Sequence, residues 1–153
     1  MEILITDAAN LDFIKLTKVL DENLNGISAD RPEEERNKYA SFNELSNITK
    51  AFVLYDKEIA IGCAAFKKYA ANTVEVKRVF VSEEYRGKGL SKIMLFELEK
   101  QVRKDGFNRL ILETGKNNRA AVNMYKSMNY REIDNFLPYT DMADSVCLSK
   151  DLS

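Results

Sequence analysis

Histidine and tryptophan are absent from this chain of 153 residues, and cysteine and proline occur only 2 times each. Without histidine there is no Ser-His-Asp or Cys-His catalysis, no His-ligated zinc and no imidazole proton shuttle. Acid–base chemistry therefore falls to carboxylates, tyrosine, cysteine or lysine. Cys63 and Cys147 lie far apart in apolar surroundings, without metal-ligand or pairing spacing, which reads as two buried free thiols and no metal site. No apolar run approaches the roughly 20 residues of a membrane span. The opening MEILITDAAN has no basic region followed by an apolar one, so a cytoplasmic protein with no membrane partner is expected. Charge of either sign is not in excess: 23 Lys and Arg face 24 Asp and Glu, a formal net charge of -1. With no basic stretch interleaved with aromatics either, nucleic acid is not an expected partner.

What is present is 45% hydrophobic and 31% charged residues, the balance of one globular domain spanning residues 1–153. MEILI reads as a strand, and Asp7 as the cap of a helix from about residue 8 to 25 that ends at Gly26. Phe13, Leu16, Leu20 and Leu24 share one face of it. A second helix is expected from Arg31 to Leu45, its proline and glutamates suiting a helix N-terminus. AFVLY and IAIGCAAF, joined by DKE, read as a hairpin, and TVEVKRVFV at 73–81 as a third strand. LSKIMLFELEKQVRKD places Leu90, Ile93, Met94, Leu98 and Val102 on one helical stripe, with Glu99 and Arg103 as an i,i+4 ion pair. RLILE then makes residues 73–114 a strand–loop–helix–strand unit, whose strands should be parallel. A helix over 118–128 carries Ala121, Met124, Tyr125 and Met128 on one face, and Asn129 stands where a left-handed cap belongs. Strands near 130–135 and 145–150 complete an α+β fold: a mixed, mostly antiparallel sheet with a parallel β-α-β core and flanking helices.

Between the third strand and its helix lies YRGKGLSK. A loop entering a helix exposes the first unpaired N–H groups, and Gly87 and Gly89 let a ligand approach the backbone closely. Such a place favours an anion, and Arg86 and Lys88 could add charge-assisted bonds. The same residues also suit a plain surface turn kept soluble by its cations. The spacing is neither that of a Walker loop nor G-x-G-x-x-G.

These residues resemble the GNAT superfamily of acetyl-CoA-dependent N-acetyltransferases. Its pyrophosphate loop reads [QR]-x-x-G-x-[GA], and Arg86, Gly89 and Ser91 stand at the defined positions, Ser91 being the departure. VEVKRVFVSEEYRGKGL is similar to the family's strand and loop, with Glu83 where proline is common, and NRAAVNMYKSMNY resembles its later helix motif through Asn118, Ala121 and Tyr125, with Asn129 replacing glycine.

The resemblance implies acetyl-CoA as cofactor, its pantetheine hydrogen-bonding the strand at Val79, Phe80 and Val81. Its pyrophosphate would rest on Arg86, Gly87, Lys88, Gly89, Leu90 and Ser91, with Asn118 and Tyr125 also at the cofactor. Tyr125 is then the acid for the departing thiolate; its place on an apolar stripe equally suits a core tyrosine. Glu75 is the implied base, on the strand face that alternation shares with Val79 and Val81. An ion pair with Lys77 is the competing reading, and Glu113 and Asp141 are weaker candidates for the base. Cys147, without a histidine, reads as structural. The acceptor would be a primary amine of a small molecule, peptide or protein. NFLPYTDMADSVC and the N-terminal helices would frame it, with Asp30, Glu33, Glu34, Glu35, Asp141 and Asp144 as acidic wall residues. The alternative to an enzyme is a non-catalytic acyl-CoA sensor, and a homodimer is left open.

Overall fold

The computed structural model describes residues 1–27, 45 and 47–152. Its elements are β1 (Glu2–Thr6), α1 (Leu11–Ile27), β2 (Lys50–Asp56), β3 (Ile59–Ala70), β4 (Thr73–Val81), a 3-10 turn (Glu83–Tyr85), α2 (Leu90–Lys104), β5 (Arg109–Gly115), α3 (Arg119–Ser127), β6 (Arg131–Ile133) and β7 (Ser145–Asp151). The strands follow the hydrogen-bonded order β1-β2-β3-β4-β5-β7-β6 in one mixed sheet. β4 and β5 are parallel, whereas β1–β2, β2–β3, β5–β7 and β6–β7 are antiparallel, the α+β arrangement expected. The helix expected over Arg31–Leu45, with Asp30 and Glu33 to Glu35, lies outside the described residues, Leu45 excepted.

The chain divides into two compact units, Met1–Lys67 with Lys77–Leu98, and Lys68–Val76 with Glu99–Ser153. In the first, α1 starts later than the sequence suggests. Asn10 is the cap, its side chain accepting the Phe13 N–H at 2.9 Å, while Asp7 closes only a local turn onto Ala9 at 2.8 Å. Helical backbone continues to Ile27, so Gly26 falls inside the last turn rather than after it. Phe13 and Leu16 bury against Ala51, Val53, Cys63, Ala65 and Phe80. On the other side of β2, by alternation, Phe52 meets Phe66 with ring centroids 6.2 Å apart. Space is tight at Gly62, where a Cβ would stand 3.0 Å from the Phe80 carbonyl oxygen.

Arg78 breaks the regularity of β4. Its φ of 60° is left-handed, a conformation that costs a residue with a Cβ about 1–2 kcal/mol. The side chain is buried and donates through Nη2 to the Thr17 carbonyl and to Asp21 Oδ1, both at 2.8 Å. Alternation therefore cannot be carried across position 78, and the inference that Glu75 shares a face with Val79 and Val81 does not stand on it.

In α2 the buried stripe is Leu90, Met94, Leu95, Leu98 and Val102. Ile93, expected inward, is 50% exposed and Phe96 57% exposed, because both fall on the far side of a helix turning about 100° per residue. Gly106, with φ of 91°, ends the helix, as Asn129 at 71° ends α3.

In the second unit the parallel β4–β5 ladder covers only Thr73↔Arg109, Val74↔Leu110 and Glu75↔Ile111. Glu99 does not pair with Arg103. It turns inward, accepting from the Tyr130 hydroxyl at 2.9 Å and from Lys150 Nζ at 2.8 Å. Its side chain is 2% exposed, so the burial of a charge is met by one ammonium and one hydroxyl. Replacing Glu99 alone by leucine strands the ammonium and should cost about 3 kcal/mol, whereas Glu99→Leu with Lys150→Leu should recover most of that. Urea unfolding of the three proteins checks this, and equal losses in the single and double variants would contradict it.

Candidate active site

The glycine loop belongs to the first unit. Gly87 and Gly89 both take left-handed φ, 77° and 74°, and among the described residues a Cβ built on either meets nothing within 4 Å. Glycine is thus favoured at both positions by backbone conformation, and no described residue fills the space where a Cβ would stand. The Gly89 carbonyl accepts the Ile93 N–H at 3.2 Å, which makes Gly89 the residue that opens α2 and leaves the next N–H groups facing outward from the helix end. Arg86 is exposed and anchored: its Nε donates to the Val81 carbonyl at 2.8 Å and its guanidinium lies 5.5 Å from the Phe80 ring centroid. Lys88 Nζ stands 5.4 Å from the Tyr85 ring centroid, and the Tyr85 hydroxyl donates to Asp56. Leu90 and the Phe80 ring are core, so any ligand contact they make is through main chain, whereas Ser91 is half-buried at the helix start.

A second cluster forms in the other unit. Glu75 is 1% exposed, and its Oε2 accepts from the Tyr139 hydroxyl at 3.0 Å. Glu113, half-buried, accepts from Ser145 Oγ at 2.6 Å. Burial first, then the negative charges of Glu75 and Glu113, push the Tyr139 hydroxyl well above its ordinary value, so it is always a donor. Tyr139 sits in a chain of edge-to-face rings, 5.4 Å from Phe136, which is 5.3 Å from Tyr69. The segment NFLPYTDMADSVC thus supplies a donor to Glu75. No spacing in the sequence linked Tyr139 to a residue 64 positions earlier.

On α3, Asn118 is the helix cap, its side chain accepting the Ala121 N–H at 3.3 Å. Tyr125 is 6% exposed and packs edge-to-face on Tyr130 at 5.4 Å; burial raises its hydroxyl well above the usual tyrosine value. Asp141 is exposed, and Asp144 pairs with Lys116 at 3.2 Å, so neither is placed as a buried base. Among the described residues no group of three or more His, Cys, Asp or Glu could hold a metal, and no helix is long and apolar enough to cross a membrane.

A profile of the Acetyltransferase (GNAT) family matches residues 14–130, more than half of the chain. Over 90 residues the chain is 33% identical to the Xenopus tropicalis protein named "Probable N-acetyltransferase 14", covering 57% of this chain and 44% of that one. The chain spans about half the length of the curated relatives it matches. Among solved structures, it is similar to a Klebsiella pneumoniae protein provisionally described as an acyl-CoA N-acyltransferase, at 25% identity and a TM-score of 0.81, over 99% of this chain and 97% of that one. The PaiA N-acetyltransferase of Thermoplasma acidophilum, solved with coenzyme A, shares the fold at a TM-score of 0.73 and 22% identity, over 99% of each chain.

Cys63 and Cys147 are both buried and free, and burial pushes their thiols up to about 12 and about 11. For Cys147 the Glu113 and Glu75 charges add to burial while the Phe136 N–H opposes it. At pH 8 the thiolate fraction is then about 10⁻³ or less. Neither thiol should react with iodoacetamide in the native protein faster than the protein unfolds, and both should react at once in urea. Rapid native labelling of Cys147 would return it to the list of nucleophiles.

Proposed function

The chain belongs to the Acetyltransferase (GNAT) family, and on that premise we propose that it is an N-acetyltransferase carrying an acetyl group from acetyl-CoA to a primary amine by direct attack. The observation that carries the reading is the glycine loop: two left-handed glycines, no described residue within 4 Å of a Cβ built on either, and a helix beginning at the second. Backbone N–H groups and the positive end of the α2 dipole suit a pyrophosphate there, and Arg86 and Lys88 supply flanking charge. Val79 to Val81 would offer main-chain groups to the pantetheine. The acceptor is a small-molecule, peptide or protein amine, and the domain is one working unit in the cytoplasm.

In the reaction the neutral amine nitrogen attacks the thioester carbonyl, and collapse of the tetrahedral oxyanion breaks the C–S bond. Glu75 takes the proton the amine must lose, directly or through water. Tyr125 gives its proton to the departing sulfur; its raised pKa means that it enters the reaction protonated, the form a donor needs. Asn118 orders the start of the helix that carries Tyr125.

Purified protein with acetyl-CoA and a panel of lysine amide, spermidine, kanamycin and a lysine-containing peptide, read by thiol release, tests the activity and sorts the acceptor class together. Cofactor binding without turnover on any amine would favour an acyl-CoA sensor instead. For the loop, Gly89→Asn and Gly89→Asp both tolerate a left-handed backbone and differ in charge. Calorimetry should show acetyl-CoA binding at least about tenfold weaker in the aspartate than in the asparagine variant, because only one places an anion against the phosphates. Equal affinities would remove the phosphates from this loop. Tyr125→Phe should lower kcat by about 10² or more while changing stability by less than about 1.5 kcal/mol and leaving cofactor affinity alone. Full activity in a well-folded variant would take Tyr125 out of the mechanism.

A further inference from the structure

We propose that Tyr139 is a positioning residue for the transfer: its hydroxyl, donating to Glu75 Oε2, orients the carboxylate that receives the amine's proton. The proposal rests on the reading of Glu75 as base. The terminal torsion of a glutamate is broad and roughly two-fold, so a carboxylate plane is set only when a donor fixed in space holds it. Tyr139 is such a donor. It is 2% exposed, and the turns before β7 hold its backbone: its N–H donates to the Phe136 carbonyl at 2.7 Å, and its carbonyl accepts from the Met142 N–H at 3.0 Å. Asn135 Nδ2 donates to the Tyr139 and Met142 carbonyls, both at 3.1 Å. On the side, the Phe136 ring stands nearly perpendicular to it at 87°, and Phe136 is itself backed by Tyr69, whose hydroxyl donates to the Leu137 carbonyl at 2.9 Å. The segment between β6 and β7 is thereby built around one side chain, which reaches back to Glu75 on β4. Because the hydroxyl stays protonated under the combined effect of burial and the facing carboxylates, the direction of its hydrogen bond is fixed: tyrosine donates, glutamate accepts.

The geometry needed for proton transfer is narrow, and a displaced group can cost up to about 10² in rate. Tyr139→Phe should therefore lower kcat about tenfold, measured with acetyl-CoA and whichever of lysine amide, spermidine, kanamycin or the lysine peptide turns over fastest. The dissociation constant for acetyl-CoA should not change. The decisive readout is a double-mutant cycle: once Glu75→Gln has removed the base, adding Tyr139→Phe should change kcat by less than about twofold. A tyrosine that only stabilises the fold would lower the melting temperature and act on kcat independently of Glu75. Asn135→Ala serves as a second variant, because it frees the segment without stripping a donor from a buried carboxylate; it should slow turnover in the Glu75 protein and have no further effect in Glu75→Gln. Normal kcat in Tyr139→Phe alongside a slow Glu75→Gln overturns the positioning role and keeps the base. Normal kcat in Glu75→Gln, or no turnover on any amine, overturns the base or the activity itself, and this proposal with it.

Discussion

A left-handed arginine in the middle of β4 is the constraint on which the first unit turns. Arg78 has a Cβ and no intrinsic reason to take φ of 60°, so something must hold it there. Two charge-assisted hydrogen bonds do, to the Thr17 carbonyl and the Asp21 carboxylate of α1, and together they exceed the roughly 1–2 kcal/mol of strain. Its carbonyl is also used, accepting from Cys63 Sγ at 3.2 Å. One residue thus ties α1, β3 and β4 together. The three residues after it end β4, and beyond Ser82 and the 3-10 turn comes the glycine loop, where Arg86 reaches back to the Val81 carbonyl. The loop's open left-handed glycines are presented by a strand end that is held from both directions.

The second unit solves a different problem, the burial of carboxylates without histidine. Glu75 is met by a tyrosine hydroxyl, Glu113 by a serine hydroxyl, and Glu99 by a tyrosine hydroxyl and an ammonium. Hydroxyl donors suit this because they satisfy an anion without adding a charge of their own to be desolvated. Glu99 also receives a full countercharge, from Lys150, and it has no part in the proposed chemistry.

The chain's local order was legible before any coordinates. β4 spans Thr73–Val81 as its β-branched pattern indicates, β5 pairs with it in parallel, and Gly87, Gly89 and Asn129 take the left-handed conformations that their residue types allow. The parallel pairing follows from the handedness of a strand–helix–strand crossover, and the others from interactions within a few residues: side-chain periodicity, the missing Cβ of glycine, the tolerance of asparagine for positive φ. The outlines of the glycine loop were readable for the same reason. Errors were local too where two rules competed, as at Asp7 and Asn10, either of which can cap a helix.

The tertiary structure alone decided which polar groups meet. Glu99 had a neighbour at Arg103 with ideal helical spacing, yet its partners are Tyr130 and Lys150, 31 and 51 positions away, because its side of α2 faces inward and a buried carboxylate must find donors there. Ile93 fits an apolar list but sits on the solvent side, since the helix's orientation is set by the whole buried stripe and not by one residue. Tyr139 reaches Glu75 across 64 positions, and Arg78 reaches α1 across 57 and 61. Contacts at that separation leave no mark on periodicity or propensity, which act along the chain. They arise only when the sheet brings distant strands and turns side by side, and so the sequence by itself determined the elements and the loop, whereas the fold chose the partners of Glu75, Arg78 and Glu99.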